Sequence, residues 1–286
     1  MRRAPVGLLV LLVGLSIPLP SLAEAPKLNW VPGPATVDLG NVAQLDLAQG
    51  YVFLNGEDAR TLLEASGNVP DGSEVGLVAP AAEDDHWFVV FDYEDVGHVR
   101  DDEKDKIDAA AILKGIQEGT EEANKVRKEK GVPGLHVVGW QQPPAYDAKT
   151  HNLSWAILAK DDGGDQVVNL NIRLLGRSGY VSATLVEDSA KIAAARPHLD
   201  GIVRSFSYRS GSKYAEFRPG DKVAEYGLVA LVAGGAGAAA AKTGLLATLG
   251  KLLAKAGKGI VLLVVGAAAT LRRLLKAIFS NDSRAA

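Results

Sequence analysis

Six polar or aromatic side chains have types that could bind a ligand or take part in a reaction. Two carboxylates could exchange protons, two phenols could donate hydrogen bonds, and a guanidinium could hold an anion. The sixth is a tryptophan near two prolines. Aromatic residues beside prolines occur both at surfaces that bind a partner and at the ends of protein cores, and we favour the core role for this tryptophan. They are Asp92, Tyr93, Trp140, Tyr146, Asp147 and Arg177. Their convergence in one cleft would indicate an enzyme or a ligand-binding protein, and their dispersal would count against both.

The histidines and the absence of cysteine argue against a metal centre. None of the histidines stands in an HExxH or HxH spacing, so the sequence predicts structural or surface roles for them. They are His86, His98, His136, His151 and His198. A chain without cysteine has no disulfide, thiol nucleophile or thiolate metal site. We therefore expect neither a metal nor another cofactor.

Two further motifs favour structural roles. The acidic run of residues 101–108, DDEKDKID, lacks the glycine that a calcium-binding loop requires. Acidic side chains that precede a helix interact favourably with the partial positive charge at its N-terminus, so the run fits the start of a helix. Ser178 lacks the G-x-S-x-G context of a hydrolase nucleophile and fits the tip of a hairpin. We therefore expect no catalytic residue in either motif.

The charge of the chain is divided between an acidic body and a basic C-terminal region. The whole chain carries a net charge of −3, whereas residues 223–286 carry +6 and residues 4–222 carry −11. Nucleic-acid binding needs a basic face, so this distribution argues against a nucleic-acid partner. Basic residues beside apolar runs point instead to anionic lipid head groups.

The N-terminal sequence predicts export. MRRAPVGLLVLLVGLSIPLPSLAEAPK contains two arginines, an apolar run over residues 6–17, and small residues at Ser21 and Ala23. The run is shorter than the roughly 20 residues that span a bilayer. We therefore expect residues 1–23 to be a cleaved signal peptide rather than an uncleaved anchor.

Residues 223–286 predict a C-terminal membrane anchor. Residues 226–241 carry no charge, and extension back to residue 223 brings the run close to the roughly 20 residues of a span. Ala230, Gly234 and Ala238 lie four residues apart on one helical face. Such small-residue faces let two membrane helices approach closely, so self-association through this face is one expected interaction.

A basic amphipathic segment follows the predicted span. Its leucines and lysines fall on opposite sides of a helix, which is typical of segments at a lipid head-group surface. The candidate head-group ligands are Lys251, Lys255, Lys258, Arg272 and Arg273. One crossing, a hairpin of two crossings and a helical hairpin outside the bilayer all remain open, with at least one crossing favoured by the positive-inside bias.

Residues 24–222 have the pattern of one exported α+β domain. Short alternating runs between residues 34 and 54 predict the strands of a meander, and four further strands are predicted between residues 135 and 188, the last two joined by a hairpin turn that contains Gly176 and Gly179. Periodicity predicts helices near residues 55–67, 108–130 and 189–206, the last interrupted near Pro197. Asn55 is the predicted cap of the first helix, and either Asp105 or Asp108 is the predicted cap of the second. The simplest assembly is a four-stranded antiparallel sheet with helices packed on one face.

Five long segments carry a resemblance to a known family. They are YEDVGHVRDD, EEANKVRKEKG, VVGWQQPPAYDAKTHNLSWA, VNLNIRLLGRSGYVSATLV and GSKYAEFRPGDKVAEYGLVAL. These segments resemble the membrane-anchored bacterial proteins called domain of unknown function 2167, from about Leu39 to the tail. The resemblance implies an envelope protein with a membrane anchor and supplies no catalytic residues. The strand order is also faintly similar to the folds of Mog1 and the photosystem protein PsbP.

These features lead to one favoured function and two alternatives. We expect a protein of the bacterial inner membrane whose main, periplasmic domain acts on a protein partner without catalysing a reaction. The first alternative is a periplasmic enzyme or ligand-binding protein that uses the candidate polar side chains, such as Asp92 and Arg177. The second is an assembly factor that works mainly through the small-residue helix face.

Overall fold

Secondary structure follows the predicted pattern closely. The computed structural model describes residues 27–65, 70–82, 87–129 and 133–233, in which the chain forms eleven strands and four α-helices. The strands are β1 (Val31–Pro32), β2 (Ala35–Leu39), β3 (Ala43–Leu47), β4 (Tyr51–Asn55), β5 (Glu74–Pro80), β6 (Phe88–Glu94), β7 (Leu135–Asp147), β8 (Asn152–Asp161), β9 (Gln166–Leu175), β10 (Tyr180–Asp188) and β11 (Phe206–Tyr208). The helices are α1 (Gly56–Ala65), α2 (Ala109–Glu129), α3 (Ile192–Arg204) and α4 (Leu228–Val232).

Capping residues set the starts of the first two helices as predicted. Asn55 Oδ1 accepts a hydrogen bond from the Asp58 amide at 3.0 Å, and Asp108 Oδ1 accepts one from the Ala111 amide at 3.0 Å. Both contacts satisfy amides that have no partner inside the helix. The predicted interruption near Pro197 is wrong, because α3 continues through this residue.

Among the described residues, the large sheet has eight strands, whereas the sequence analysis predicted a sheet of four. Its antiparallel strands follow the order β1-β4-β5-β6-β10-β9-β8-β7, and a second sheet has the order β11-β3-β2. The four predicted strands β7 to β10 are present as antiparallel neighbours, and β6 pairs with β10 to join the N-terminal strands to them. A strand as apolar as β6 is stable in the middle of a sheet, where neighbours and both faces bury it.

The prediction that helices pack on one face of the sheet is also wrong. Helix α3 and the small sheet share a core with Val89 and Phe91 of β6. Helix α1 packs against the alternate residues Phe88 and Val90, on the opposite face. The register of β6, β10, β9 and β8 places α2 on the same face as α1. Consecutive side chains of a strand point to opposite faces, and both sets are apolar here.

The chain remains part of the domain beyond the boundary expected at residue 222. Tyr226 is buried, Leu228 is fully buried, and α4 packs with α2 and β8. Ala230 is partly buried against the same cluster. This moves the end of the domain to at least residue 233. Within the described ranges, no helix combines the length and apolarity needed to cross a bilayer.

Several predictions concern residues outside the described ranges. They are the signal peptide of residues 1–23, His86, Gly234, Ala238 and the head-group candidates Lys251, Lys255, Lys258, Arg272 and Arg273. These remain predictions from the sequence.

Candidate functional site

The segment of residues 211–233, called here the docked segment, binds the turn between β9 and β10. Lys213 forms an antiparallel bridge with Gly176, and the Arg177 amide donates to the Ser212 carbonyl at 2.9 Å. The Arg177 guanidinium donates two hydrogen bonds to the Asp221 carboxylate, both at 2.7 Å. This two-point contact fixes the orientation of the segment, and the guanidinium lowers the pKa of Asp221 to about 2.

A second set of contacts holds the docked segment against residues 97–99. The His98 amide donates to the Lys222 carbonyl at 2.8 Å, and the Ala224 amide donates to the His98 carbonyl at 2.9 Å. Gly97 has φ +94°, and a Cβ there would lie 2.9 Å from backbone atoms of residues 222–224. Only glycine permits both this conformation and this close approach.

Four aromatic rings stack where the docked segment crosses the end of the sheet. In order they are Phe217, His98, Tyr214 and His151, with centroid separations of 4.2, 4.3 and 4.2 Å. We call them the four-ring stack. His98 is buried, and burial lowers its pKa, whereas Phe217 at the outer end is 38% exposed. The stack therefore connects the interior with an aromatic surface.

A phenol joins the His151 end of the four-ring stack to a carboxylate. The Tyr146 hydroxyl donates to Asp101 Oδ2 at 2.9 Å and lies 3.0 Å from Nδ1 of His151. Because the hydroxyl proton is used for Asp101, His151 must donate from Nδ1. Burial, followed by the Asp101 contact, raises the pKa of Tyr146. The phenol therefore stays neutral at physiological pH and acts as a donor rather than as a base.

A cavity of about 300 Å³ opens beside Tyr146. Its lining residues are Lys104, Asp105, Ile107, Pro144, Tyr146 and Ala148. The side chains around it offer an ammonium group, a carboxylate and an apolar wall. This combination suits a small polar group or the side chain of a partner.

Replacing Tyr146 with phenylalanine tests whether the hydroxyl supports this end of the domain. We expect Tyr146→Phe to lower the free energy of unfolding by about 2 kcal/mol, because Asp101 and His151 each lose a hydrogen-bond partner. Urea unfolding followed by circular dichroism measures this. Tyr93→Phe is the matched control and should change stability by less than about 0.5 kcal/mol. Equal effects of the two substitutions would contradict the assigned role.

The six side chains predicted as a possible site disperse over the molecule. Tyr146 and Arg177 both lie near the docked segment, whereas Asp92 and Tyr93 point to opposite faces of the sheet. The partly buried Trp140 packs against the core and donates to the Ala109 carbonyl at 2.9 Å, which agrees with the favoured role at the end of a core. The exposed Asp147 accepts a hydrogen bond from the Lys149 amide at 2.8 Å.

Sequence reasoning missed the residues that assemble around Tyr146. His98, His151 and Tyr214 were assigned no shared role, since they belong to three separate segments. The positive φ of His151, +54°, is a local feature that marks the turn after β7. No sequence signal places it beside a tyrosine 63 positions away.

Comparison with known proteins identifies a family but no activity. Residues 31–268 match the model of a family described as "Protein of unknown function (DUF2167)". A search of curated proteins gives no match. Among solved structures, the solution structure of cyanobacterial PsbP (CyanoP) from Synechocystis sp. PCC 6803 is similar at 10% identity and a TM-score of 0.36. The alignment covers 66% of this chain and 96% of that chain. A likeness at this score carries no argument about function.

Proposed function

The chain belongs to the DUF2167 family of proteins of unknown function, and from this premise we propose that it is a membrane-tethered protein of the bacterial cell envelope that binds a protein partner. The observation that carries the proposal is the docked segment, which packs into the domain up to residue 233. The apolar, basic region that the sequence predicts as an anchor follows directly. A tether of this kind holds the domain close to the bilayer in one orientation.

The roles of the candidate side chains support binding rather than catalysis. Arg177 is paired with Asp221, Trp140 is bonded to a helix carbonyl, and the Tyr146 phenol is held neutral. Each side chain thus stabilises the fold where it lies. A reaction needs groups that converge on one substrate position, and these groups do not converge.

The surface that best fits a partner lies around the exposed end of the four-ring stack. Phe217 stacks on the ring of His98, and two exposed basic residues are near it in the chain, Arg218 directly after it and Lys213 four residues before it. A rigid aromatic side chain with basic neighbours is typical of the residues that contribute most to protein interfaces. The expected partner presents an apolar pocket with acidic residues at its rim.

Photo-crosslinking in native membranes tests the proposed partner surface. A photoreactive amino acid at position 217 should give a defined adduct, because this side chain would lie inside the interface. The same probe at Glu64, which is exposed on α1, is the matched control and should give none. The absence of an adduct from position 217, or the same adduct from both positions, would contradict the proposal.

Truncation tests the proposed tether. A chain that ends after Ala233 should keep its circular dichroism spectrum and move from the membrane fraction to the soluble fraction. The full chain should pellet with membranes and need detergent for release. Protease treatment of intact spheroplasts should digest the domain if it is periplasmic. A full chain that is soluble without detergent would contradict the tether, and a protected domain would contradict the proposed side of the membrane.

A further inference from the structure

A row of polar side chains crosses the middle of the large sheet, between two helices. Helix α1 packs on β4 and β5, and α2 packs on β7, on the same face of the sheet. The central strands β6, β10 and β9 lie between them. Their register aligns Asp92, Ser182 and Arg173 in one row on this face. The opposite face of β10 carries apolar residues, as a core strand should.

The adjacent positions of this face are polar as well. Thr184 and Asn171 form the next row, with their side-chain oxygens 3.5 Å apart, and Asn169 follows. The Oδ1 atom of Asn169 is buried and has no hydrogen-bond partner within the described part of the chain. Burying polar groups without partners costs stability. A polar strip in place of apolar side chains is therefore expected where a ligand binds.

Arg173 is positioned as a rigid receptor for an anion. Its guanidinium carbon lies 5.0 Å from the ring centroid of Trp155 and 5.6 Å from that of Tyr180. Its Nε and Nη1 atoms are buried without hydrogen-bond partners among the described residues. Within the same residues it forms no ion pair. Two rings hold the group in place, and its planar donors match a carboxylate.

Asp92 provides the complementary group at the other end of the row. Among the described residues, none forms an ion pair with its carboxylate, and its shift in pKa has no contribution from a hydrogen bond. Glu94 lies on the same face of β6, two residues further along. Glu74, opposite Asp92 on β5, instead accepts backbone hydrogen bonds from Asp71 and Gly72.

The geometry points to a binding site for a small zwitterion, an α-amino acid. Its carboxylate binds the Arg173 guanidinium, its ammonium group binds the Asp92 carboxylate, and the Ser182 hydroxyl lies between them. Asp92 and Arg173 are two strands apart, so their Cα atoms are separated by about 10 Å. The long arginine side chain and a small ligand together fill this distance. A simple anion would meet the negative charges of Asp92 and Glu94, and a neutral polyol would leave both charges unpaired.

Titration of wild-type protein with amino acids tests this site directly. The full mature chain in detergent micelles is titrated at pH 8 with each of the common α-amino acids by calorimetry and tryptophan fluorescence. At least one should bind with a dissociation constant below about 1 mM and change the fluorescence of Trp155, which contacts Arg173. Acetate and ethylamine carry only one charge each and should bind at least about tenfold more weakly.

Variants identify the residues responsible. Arg173→Gln and Asp92→Asn should each weaken binding at least about tenfold. Arg209→Gln, which removes an exposed arginine from the other side of the molecule, is the matched control and should leave affinity unchanged. A folded Arg173→Gln variant that binds as tightly as wild type would overturn the site. No response to any amino acid at 10 mM would also overturn the site. Acetate that binds as strongly as the amino acid would overturn the assignment of a zwitterionic ligand.

The pH dependence gives a further check that needs no variant. Arg173 faces Asp92 from β9 and favours its ionised form, whereas Glu94, Glu74 and Asp71 disfavour it. The net effect, dominated by burial, is a pKa of about 7. An ammonium ligand requires the ionised carboxylate, so affinity should rise at least about threefold between pH 6 and pH 8. An affinity that falls over this range would overturn the assignment of Asp92 to the ammonium group.

Discussion

Leu228→Ala is expected to lower the free energy of unfolding of the domain by about 3 kcal/mol. Leu228 is fully buried and packs with Val99, Tyr226 and Trp155 in the cluster beneath α2. Removing three carbon atoms from a site enclosed on all sides leaves a cavity that the surrounding backbone cannot easily close. Urea unfolding of the full chain in a mild detergent, followed by tryptophan fluorescence, measures the change.

This substitution distinguishes a protein core from lipid as the surroundings of residues 226–233. If lipid surrounded Leu228, the alanine variant would unfold at the urea concentration of wild type, because the domain would lose no contact. Glu225→Ala is the control, since this side chain is exposed three residues earlier, and it should change stability by less than about 0.5 kcal/mol. An unchanged midpoint for Leu228→Ala would return residues 226–233 to the predicted span.

Asp92→Asn is expected to stabilise the domain at pH 8 and to have no effect near pH 4. Burial is the largest cause that raises the pKa of Asp92 from 3.8 to about 7. The folded protein therefore binds this proton more tightly than the unfolded chain does, and stability falls as pH rises between these two values. A pKa shift of this size corresponds to a loss of about 4 kcal/mol in the free energy of unfolding when the carboxyl ionises. Because solvent screens this half-buried group, we expect Asp92→Asn to gain about 2 kcal/mol in the free energy of unfolding at pH 8.

Urea unfolding of both proteins at several pH values measures the effect. The difference between Asp92→Asn and wild type should grow from about pH 4 to about pH 8, where Asp92 of the folded protein is almost fully ionised, and stay constant above that pH. Asp147→Asn is the contrasting control, because a hydrogen bond from the Lys149 amide lowers the pKa of this exposed carboxyl and its substitution should bring no gain at pH 8. A gain for Asp92→Asn that is equal at pH 4 and pH 8 would show that ionisation is not the cause.

The two expected effects of Asp92→Asn run in opposite directions. The asparagine variant should be more stable than wild type at pH 8 and should bind the proposed amino acid more weakly. A carboxylate kept in the sheet at a cost in stability is consistent with a role in binding, where such costs are common. A structural role alone would predict the loss of stability that accompanies most substitutions of buried polar residues.

The sequence by itself determined the local elements of this protein. Alternating apolar residues defined the strands, Asn55 and Asp108 set the helix starts, and Gly176 with Gly179 closed the last hairpin. Family membership also followed from long segments of sequence. These features depend on residues that are close together in the chain, so they can be inferred without knowing which strands pair.

Only the tertiary structure decided how the two faces of the sheet are used and which side chains meet. Periodicity shows that a strand is apolar on both faces, but it does not show which helix covers each one. The alignment of Asp92, Ser182 and Arg173 in one row depends on register over three strands, and the four-ring stack joins positions 98 and 217. The surroundings of Leu228 were also decided by the tertiary structure. An apolar run of residues fits a protein core as well as a bilayer, and only contacts between distant residues distinguish the two.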